Sequence, residues 1–407
     1  MNILFLSTVF PDDAEPSRGT YNLELCRALA EDHDVRVVSP RGWTEALPRT
    51  FTGRKYHSEK VLRDTNIRAA YPTYWYPPRF CREQYGDFLW RSSRRAVREL
   101  CCDATPDAVL SYWAHPDGEA GLHAARAHGV PSAVIVGGSD VLLLPRCPNR
   151  GERVRRVLTE SDAVITVSDG LREKVIQLGV DAGQVHTVIQ GINTKQFHNT
   201  DRAAARARLA QQHAPVGQKQ AILLWVGRMV EVKRLDVLIN AVSALKERER
   251  DFVLCLVGDG PLRSATESLV KERGLVHHVL FAGAVPPVSL GDWYRTADVT
   301  VLSSESEGLP NVLRESLACG TPFVSTNVGS IAEIADERYA VLVPPNDAHA
   351  LASGIDEVLK GTHAVHAREY VPRTWEEMAE DVANLFQQSD TRPDSANARE
   401  GVTCDVG

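Results

Sequence analysis

Short apolar runs rich in β-branched residues recur near 2–7, 35–39, 108–112, 133–136 and 162–167, and most intervening segments carry apolar residues at helical spacing. Such alternation predicts strands joined by helices, hence a parallel sheet. A second series follows near 185–189, 221–226, 252–257, 278–281, 298–302, 322–326 and 340–343. The pattern predicts an α/β protein of two doubly wound domains, 1–195 and 196–372, with a polar joint from Gly191 to about Gly217. Helical spacing returns in TWEEMAEDVANLFQQ, where Trp375, Met378, Val382, Leu385 and Phe386 form one stripe. This helix, over 373–388, is expected to pack back on the first domain. From 389 to 407 apolar content is too low to build a core, and a disordered tail is expected.

The 407 residues, 43% hydrophobic and 24% charged, suit two soluble domains. A net charge of −7 gives no global attraction to nucleic acid, so no such partner is expected and a polyanionic ligand needs a local basic site. Eight cysteines without a CxxC pair fit a reduced, cytoplasmic compartment. MNILFLSTVF lacks a basic n-region and runs into Pro11, Asp12 and Asp13, so it reads as a first strand and not as a signal sequence. No apolar run reaches about 18 residues, and no transmembrane helix is expected. From Arg79 to Arg98, six arginines oppose two acids, Glu83 and Asp87, a local balance of +4, just after the ring-rich YPTYWYPP. The stretch reads either as a solvated helix face or as a contact for an anionic membrane, which places the chain in the cytoplasm or at the inner membrane face.

The densest chemistry lies in SSESEGLPNVLRESLACGTP. Here a strand ends, a polar loop follows, and a helix is expected from about Leu309 with Pro310 in its first turn. Glu307 then sits at the carboxyl end of the strand and Glu315 inside the helix, while the free amides of Leu309 and Asn311 form a positive end where phosphate binds readily. A solvated charge pair is the plainer explanation of the two glutamates. Upstream, LLWVGRMVEVKR puts Arg228 just past a strand and Lys233 five positions on; both suit a diphosphate, and both suit surface salt bridges. VLCLVGDGPLR adds Gly258 and Gly260 after another strand, where backbone approaches a ligand or a tight turn forms. Arg263 occupies the place of a third glycine, so this is no dinucleotide fingerprint.

Taken in order, VGRMVEVKRLDVLINAV, LVGDGPL, FAGAV, ADVTVLSSESEGLPNVLRESLACGTPFVSTNVGSIAEI and VPPNDAHALASGI resemble the donor domain of the glycosyltransferase 4 family, and a fainter resemblance covers about 2–388. The resemblance implies the GT-B fold, two Rossmann-like domains facing a cleft, and transfer of a hexosyl-type sugar with retention of configuration. It implies that Arg228 and Lys233 hold the diphosphate of a nucleotide-sugar donor, that Glu315 accepts from the ribose hydroxyls and that Glu307 lies near the transferred sugar. PSRGTYNLELCRALA resembles the family's glycine loop, with Gly19 near the phosphates. His115, in LSYWAHPDGEAG, stands where the family's active-site histidine would, a structural histidine being the rival; Ser139 and Asp140, in VIVGGSDVLLLP, are assigned to acceptor or sugar contact. No cofactor is implied, the nucleotide-sugar being a substrate. Asp32-His33-Asp34 has the DxD form of metal-dependent transferases, yet a helix-to-strand turn explains it and no metal is expected. The implied acceptor is a glycan or a lipid-linked sugar in cell-surface polysaccharide synthesis. A non-catalytic nucleotide-sugar-binding protein and a sugar-nucleotide epimerase remain the alternatives.

Overall fold

Runs such as Ile3–Leu6 and Leu223–Trp225 are apolar at every position because both faces of their sheets are covered, and each of these residues is fully buried. The computed structural model describes residues 1–46, 56–218 and 221–390, which form two units: Met1–Gly191 together with the segment from Trp375, and Ile192–Thr374.

The first unit carries β1 (Asn2–Leu6), β2 (Asp34–Val38), β3 (Arg68–Ala70), β4 (Ala108–Tyr112), β5 (Ser132–Val136), β6 (Ala163–Thr166) and β7 (Val185–Thr187). They form one parallel sheet in the order β3-β2-β1-β4-β5-β6-β7. The second unit carries β8 (Ala221–Val226), β9 (Phe252–Val257), β10 (Val279–Gly283), β11 (Val299–Leu302), β12 (Phe323–Thr326) and β13 (Ala340–Val343), parallel in the order β10-β9-β8-β11-β12-β13. In each sheet the order reverses once, between β1 and β4 and between β8 and β11. Loops leaving neighbouring strands on either side of such a reversal diverge, and the crevice at their carboxyl ends is where open α/β sheets take ligands.

The helices that matter below are α1 (Thr20–Asp32), α2 (Tyr85–Leu100), α3 (Glu119–His128), α4 (Pro148–Glu160), α5 (Arg202–Gln212), α6 (Leu235–Glu247), α7 (Asn311–Ala318) and α8 (Trp375–Asp390). The last of these packs on α1 in the first unit, burying Met378, Val382 and Phe386. It runs to Asp390, so the first two residues of the expected tail are helical; residues 391–407 lie outside the described residues.

Three expectations need correction. The run near 185–189 does not open the second series: Val185–Thr187 pairs with Val164–Thr166 and closes the first sheet. The joint expected from Gly191 to Gly217 belongs instead to the second unit. Ile192 donates its amide to the Arg373 carbonyl at 2.8 Å, Phe197 and Leu209 enter that unit's core, and Arg202 pairs with Asp298 at 2.5 Å. The change of unit therefore falls at Gly191/Ile192, not at 195. Strand β3 has no forecast, because three residues beginning with an exposed arginine at a sheet edge carry no apolar signal.

Phe386→Ala is expected to cost about 3–5 kcal/mol in chemical denaturation, since it empties the α8 side of a contact with α1. A change below about 1 kcal/mol contradicts that packing.

Candidate active site

At the reversal in the second unit, the loop after β8 turns through a short 3₁₀ segment, Glu231–Lys233, and brings Lys233 beside the loop after β11. Lys233 Nζ lies 2.6 Å from Glu307 Oε1, with the two side chains 20% and 11% exposed. Ser304 Oγ donates to the same carboxylate oxygen at 2.6 Å, and Ser303 Oγ donates to the Lys233 carbonyl at 2.8 Å. The Glu305 amide donates to the Val232 carbonyl at 2.8 Å. Backbone and side chain together thus close the crevice mouth around one ion pair. Arg228 projects from the same β8 loop, is exposed, and its side chain meets no partner among the described residues.

Glu315 stands one and a half turns into α7, as expected, but the sequence reading missed its partner. The buried Tyr294 hydroxyl donates to Glu315 Oε2 at 2.8 Å. Burial pushes the Glu315 carboxyl up, with the Tyr294 hydrogen bond acting the other way. Tyr294 fixes one oxygen, and no donor among the described residues takes Oε1. The helix itself starts at Asn311, with Pro310 as its N-cap rather than inside the first turn. The amides of Leu309 and Asn311 meet no acceptor among the described residues, so two donors of the helix end stay available. The Asn311 side chain turns back, Oδ1 accepting from Arg314 Nη1 at 3.3 Å.

Gly258 and Gly260 have packing reasons that need no ligand. At Gly258 (φ 136°) a Cβ would stand 1.8 Å from the Gly227 carbonyl oxygen, and at Gly260 a Cβ would stand 2.5 Å from the Met229 carbonyl oxygen. Their bareness lets the β9 loop lie against the β8 loop, where the Met229 amide donates to the Asp259 carbonyl at 2.9 Å. The two glycines therefore shape the loop that presents Arg228.

In the first unit the loops on either side of the reversal are again tied by one bond. Thr8 Oγ1, after β1, donates to Asp117 Oδ2, after β4, at 3.0 Å. Arg41 is fully buried and holds the β1 loop from beneath, donating to the Thr8 carbonyl at 3.1 Å, to the Phe10 carbonyl at 2.5 Å and pairing with Asp12 at 3.1 Å. Gly19 ends this loop with φ 64°, where a Cβ would stand 2.5 Å from the Val9 carbonyl oxygen. Arg18 is already paired, with Glu45 at 2.9 Å and Glu15 at 3.3 Å.

Asp140, which the resemblance assigns to acceptor or sugar contact, lies in the short helix Ser139–Leu142 after β5. It is buried, and its two oxygens accept from the amides of Ala114 (3.0 Å), Gly137 (3.1 Å) and Gly138 (2.9 Å), so it ties the β5 loop to the β4 loop. Ser139 opens the short helix Ser139–Leu142, and its side chain lies outside the described residues. His115 sits in the tight turn Ala114–Gly118 after β4, with its side chain buried. Burial, then the charge of Arg150, lowers its imidazole to about 4, so it is neutral at physiological pH. Within Asp32-His33-Asp34, Asp34 pairs with Arg36 at 2.7 Å and with Arg68 at 3.2 Å.

Comparison with known proteins follows this division. The model of glycosyl transferases group 1 matches residues 208–375, and the glycosyl transferase 4-like domain matches 19–191. The chain belongs to the family 4 glycosyltransferases. It is 27% identical over 395 residues, 95% of either chain, to TuaC of Bacillus subtilis, whose name places it in teichuronic acid biosynthesis. It is 32% identical over 252 residues, 58% of either chain, to D-inositol 3-phosphate glycosyltransferase 2 of Catenulispora acidiphila. Among solved structures it resembles sucrose-phosphate synthase of Thermosynechococcus elongatus, with a TM-score of 0.76, 23% identity and coverage of 95% of this chain and 99% of that one. It also resembles Anabaena HepE in complex with UDP and glucose, with a TM-score of 0.71, 15% identity and coverage of 95% and 99%. These likenesses establish the GT-B fold for this family 4 glycosyltransferase.

The sequence reading did not single out Tyr294, Ser304, Asp117, Arg41 or Glu119. Tyr294 reads as one more apolar position in LGDWYRT, and Asp117 follows Pro116 in what looks like a turn. Asp117 is fully buried, and that burial, opposed by Thr8 and reinforced by Asp140, raises its carboxyl to about 7. Between the ordinary 3.8 and about 7 the folded chain holds a proton that the unfolded chain lacks. The contribution of this group to stability is therefore complete below 3.8 and is lost as pH rises through about 7. Asp117→Asn is expected to gain stability over the parent as pH goes from about 5 to about 8, read by denaturant melts. Equal pH slopes in parent and variant contradict the assignment.

Proposed function

We propose that this family 4 glycosyltransferase moves a hexosyl-type sugar from a nucleotide-sugar donor to a glycan or lipid-linked acceptor in cell-surface polysaccharide synthesis. Transfer proceeds with retention and without a metal. The observation that carries the reading is the crevice at the β8/β11 reversal. Two cations, Arg228 and Lys233, and the open α7 amides at Leu309 and Asn311 serve a diphosphate, and Glu315 Oε1 is left to accept from a ribose hydroxyl. Charge-assisted hydrogen bonds contribute about 1.5–3 kcal/mol each, so three or four reach the roughly −8 kcal/mol of a micromolar complex before ordering costs.

In the reaction the bond between the anomeric carbon and the β-phosphate oxygen breaks while the acceptor oxygen bonds the same carbon from the same face. The acceptor proton passes to the departing phosphate oxygen. Arg228 and Lys233 offset the charge that grows on the diphosphate, which takes over the role a metal has elsewhere. Glu307, held by Ser304, keeps Lys233 aimed and stands near the sugar; His115 is assigned to a sugar hydroxyl. TuaC and the HepE complex with UDP and glucose support the polysaccharide role and a uridine nucleotide, respectively. Product formation in a screen of UDP-, GDP- and ADP-sugars with lipid-linked and glycan acceptors tests the reading against a non-catalytic binder, and donor interconversion without acceptor would mark an epimerase. Glu315→Ala is expected to lower kcat/KM for the donor at least about a hundredfold in a variant that still folds, its melt lowered by the roughly 1–3 kcal/mol of leaving the buried Tyr294 hydroxyl without an acceptor. Normal transfer by that variant contradicts the ribose role.

The same reading places the chain at an anionic membrane surface. No described helix is long and apolar enough to cross a membrane, but Trp75 and Phe80 are 54% and 73% exposed in the segment before α2. Arg91, Arg94, Arg95 and Arg98 follow at one-face helical spacing, and only Arg95 of the four has an acid partner among the described residues, Glu99 at 2.7 Å. Aromatic rings beside unpaired guanidinium groups suit an interface carrying anionic lipid headgroups. The protein is expected to float with phosphatidylglycerol-containing liposomes and not with pure phosphatidylcholine, and Phe80→Ser with Arg94→Glu to abolish flotation. Indifference to anionic lipid removes the assignment.

A further inference from the structure

His115 carries two ring nitrogens whose surroundings differ sharply. Nε2 faces two oxygens, the Glu83 carbonyl at 3.4 Å and Glu119 Oε2 at 3.5 Å. Nδ1 is buried and has no partner among the described residues. The Glu83 carbonyl can only accept; at Glu119 burial pushes the carboxyl up, while two guanidinium groups on Oε1, Arg153 Nη1 at 2.8 Å and the closely placed Arg156 Nη2, act the other way and draw the negative charge to their side. A lone pair on Nε2 would point at two oxygen atoms, and a hydrogen on Nδ1 would be a buried donor with nothing to accept it. Both penalties vanish if the hydrogen sits on Nε2.

Glu119 is placed for this by packing from several sides. It opens α3 directly after the turn that holds His115, is 1% exposed, and has α4 above it supplying both arginines. Gly86 of α2 leaves the room: a Cβ there would stand 2.2 Å from Glu119 Oε2. Asp87 of α2 completes the ring, pairing with Arg153 at 3.4 Å and His123 at 3.1 Å. The charged groups facing His115 are thus Glu119 on α3, Asp87 on α2, and Arg150 and Arg153 on α4.

We propose that Glu119 is a positioning residue that locks His115 in its neutral Nε2–H tautomer, leaving the Nδ1 lone pair as the acceptor for a sugar hydroxyl. This rests on the reading of His115 as a sugar contact. A hydroxyl donating to Nδ1 satisfies the one ring atom that the fold leaves unpaired, and an imidazole locked in this way cannot serve as a proton donor to the leaving group. The ligand class is a polyol, held by direction and not by charge.

The test uses the full chain labelled with ¹⁵N-histidine, His115 being assigned by comparison with His115→Gln. Long-range ¹H–¹⁵N spectra are expected to show a bare Nδ1 and a protonated Nε2 that persist from about pH 8 to about pH 5.5. A Nδ1–H tautomer or an imidazolium in the parent overturns the proposal. Glu119→Ala is expected to mix the tautomers and lower kcat about ten-fold, the size of one ordinary hydrogen bond, with donor KM nearly unchanged. Glu119→Gln, which can still turn an oxygen toward Nε2, is expected to restore most of both. If Glu119→Ala does not fold, the parent spectrum alone decides the tautomer. A folded Glu119→Ala with the parent's tautomer and turnover overturns the positioning role. Full activity in His115→Gln with the parent spectrum as expected would instead strike the sugar-contact reading of His115, a separate failure.

Discussion

The second unit is organised around one ion pair at the point where its sheet reverses. Lys233 leaves the β8 loop and Glu307 the β11 loop, two loops that the topology sends in opposite directions, and their contact at 2.6 Å is where the crevice is held. Because both side chains retain some exposure, the pair does not bear the full cost of burying two charges, nor is it screened like a fully solvated one. Ser303 and Ser304 brace it from the β11 side, and the bare Gly258 lets the β9 loop press the Arg228 loop into place. A cation already paired with a nearby carboxylate is pre-aimed and only partly neutralised, which suits a ligand of greater negative charge than one glutamate. Arg228, exposed and without a partner among the described residues, stands in the same loop as a second positive charge.

The first unit solves the same topological problem differently. A hydroxyl-to-carboxyl bond, Thr8 to Asp117, ties the diverging loops, and the supporting cation, Arg41, is buried below the loop instead of standing in the crevice. Asp140 spends its acceptors on three backbone amides. Arg41 and Asp140 are thus engaged in shaping backbone, while Asp117 Oδ1 and the Nδ1 of the neutral His115 stay without a partner among the described residues. Under the proposed function the polyanion falls to the second unit and uncharged hydroxyls to the first.

Strand positions were legible because buried parallel strands are apolar at every position, and β8, β9 and β13 fall at the expected residues. The short edge strand β3 was not, since an exposed edge needs no apolar run. The joint was misplaced because a polar, Ala- and Arg-rich segment looks like a linker, whereas α5 buries only Ala205 and Leu209 and pairs its first arginine with Asp298. At the site, spacing after strands showed where Lys233, Glu307, Arg228 and Glu315 would stand, while the roles assigned to them came only from the family resemblance. Their supports were not legible: Tyr294 to Glu315 and Glu119 to His115 are contacts made by tertiary packing between elements, and no spacing rule marks them. Asp140 was legible as a loop residue, but only the coordinates show that its carboxylate faces inward.

If the Lys233–Glu307 pair is a pre-aimed diphosphate clamp, calorimetric titration with UDP, GDP and ADP reads it out. For whichever nucleotide the parent binds, Lys233→Ala is predicted to lose at least about ten-fold in affinity, while Glu307→Gln, which keeps an oxygen to aim the lysine but removes the competing charge, binds as tightly as the parent or more so. Parent-like affinity in a folded Lys233→Ala would contradict the account.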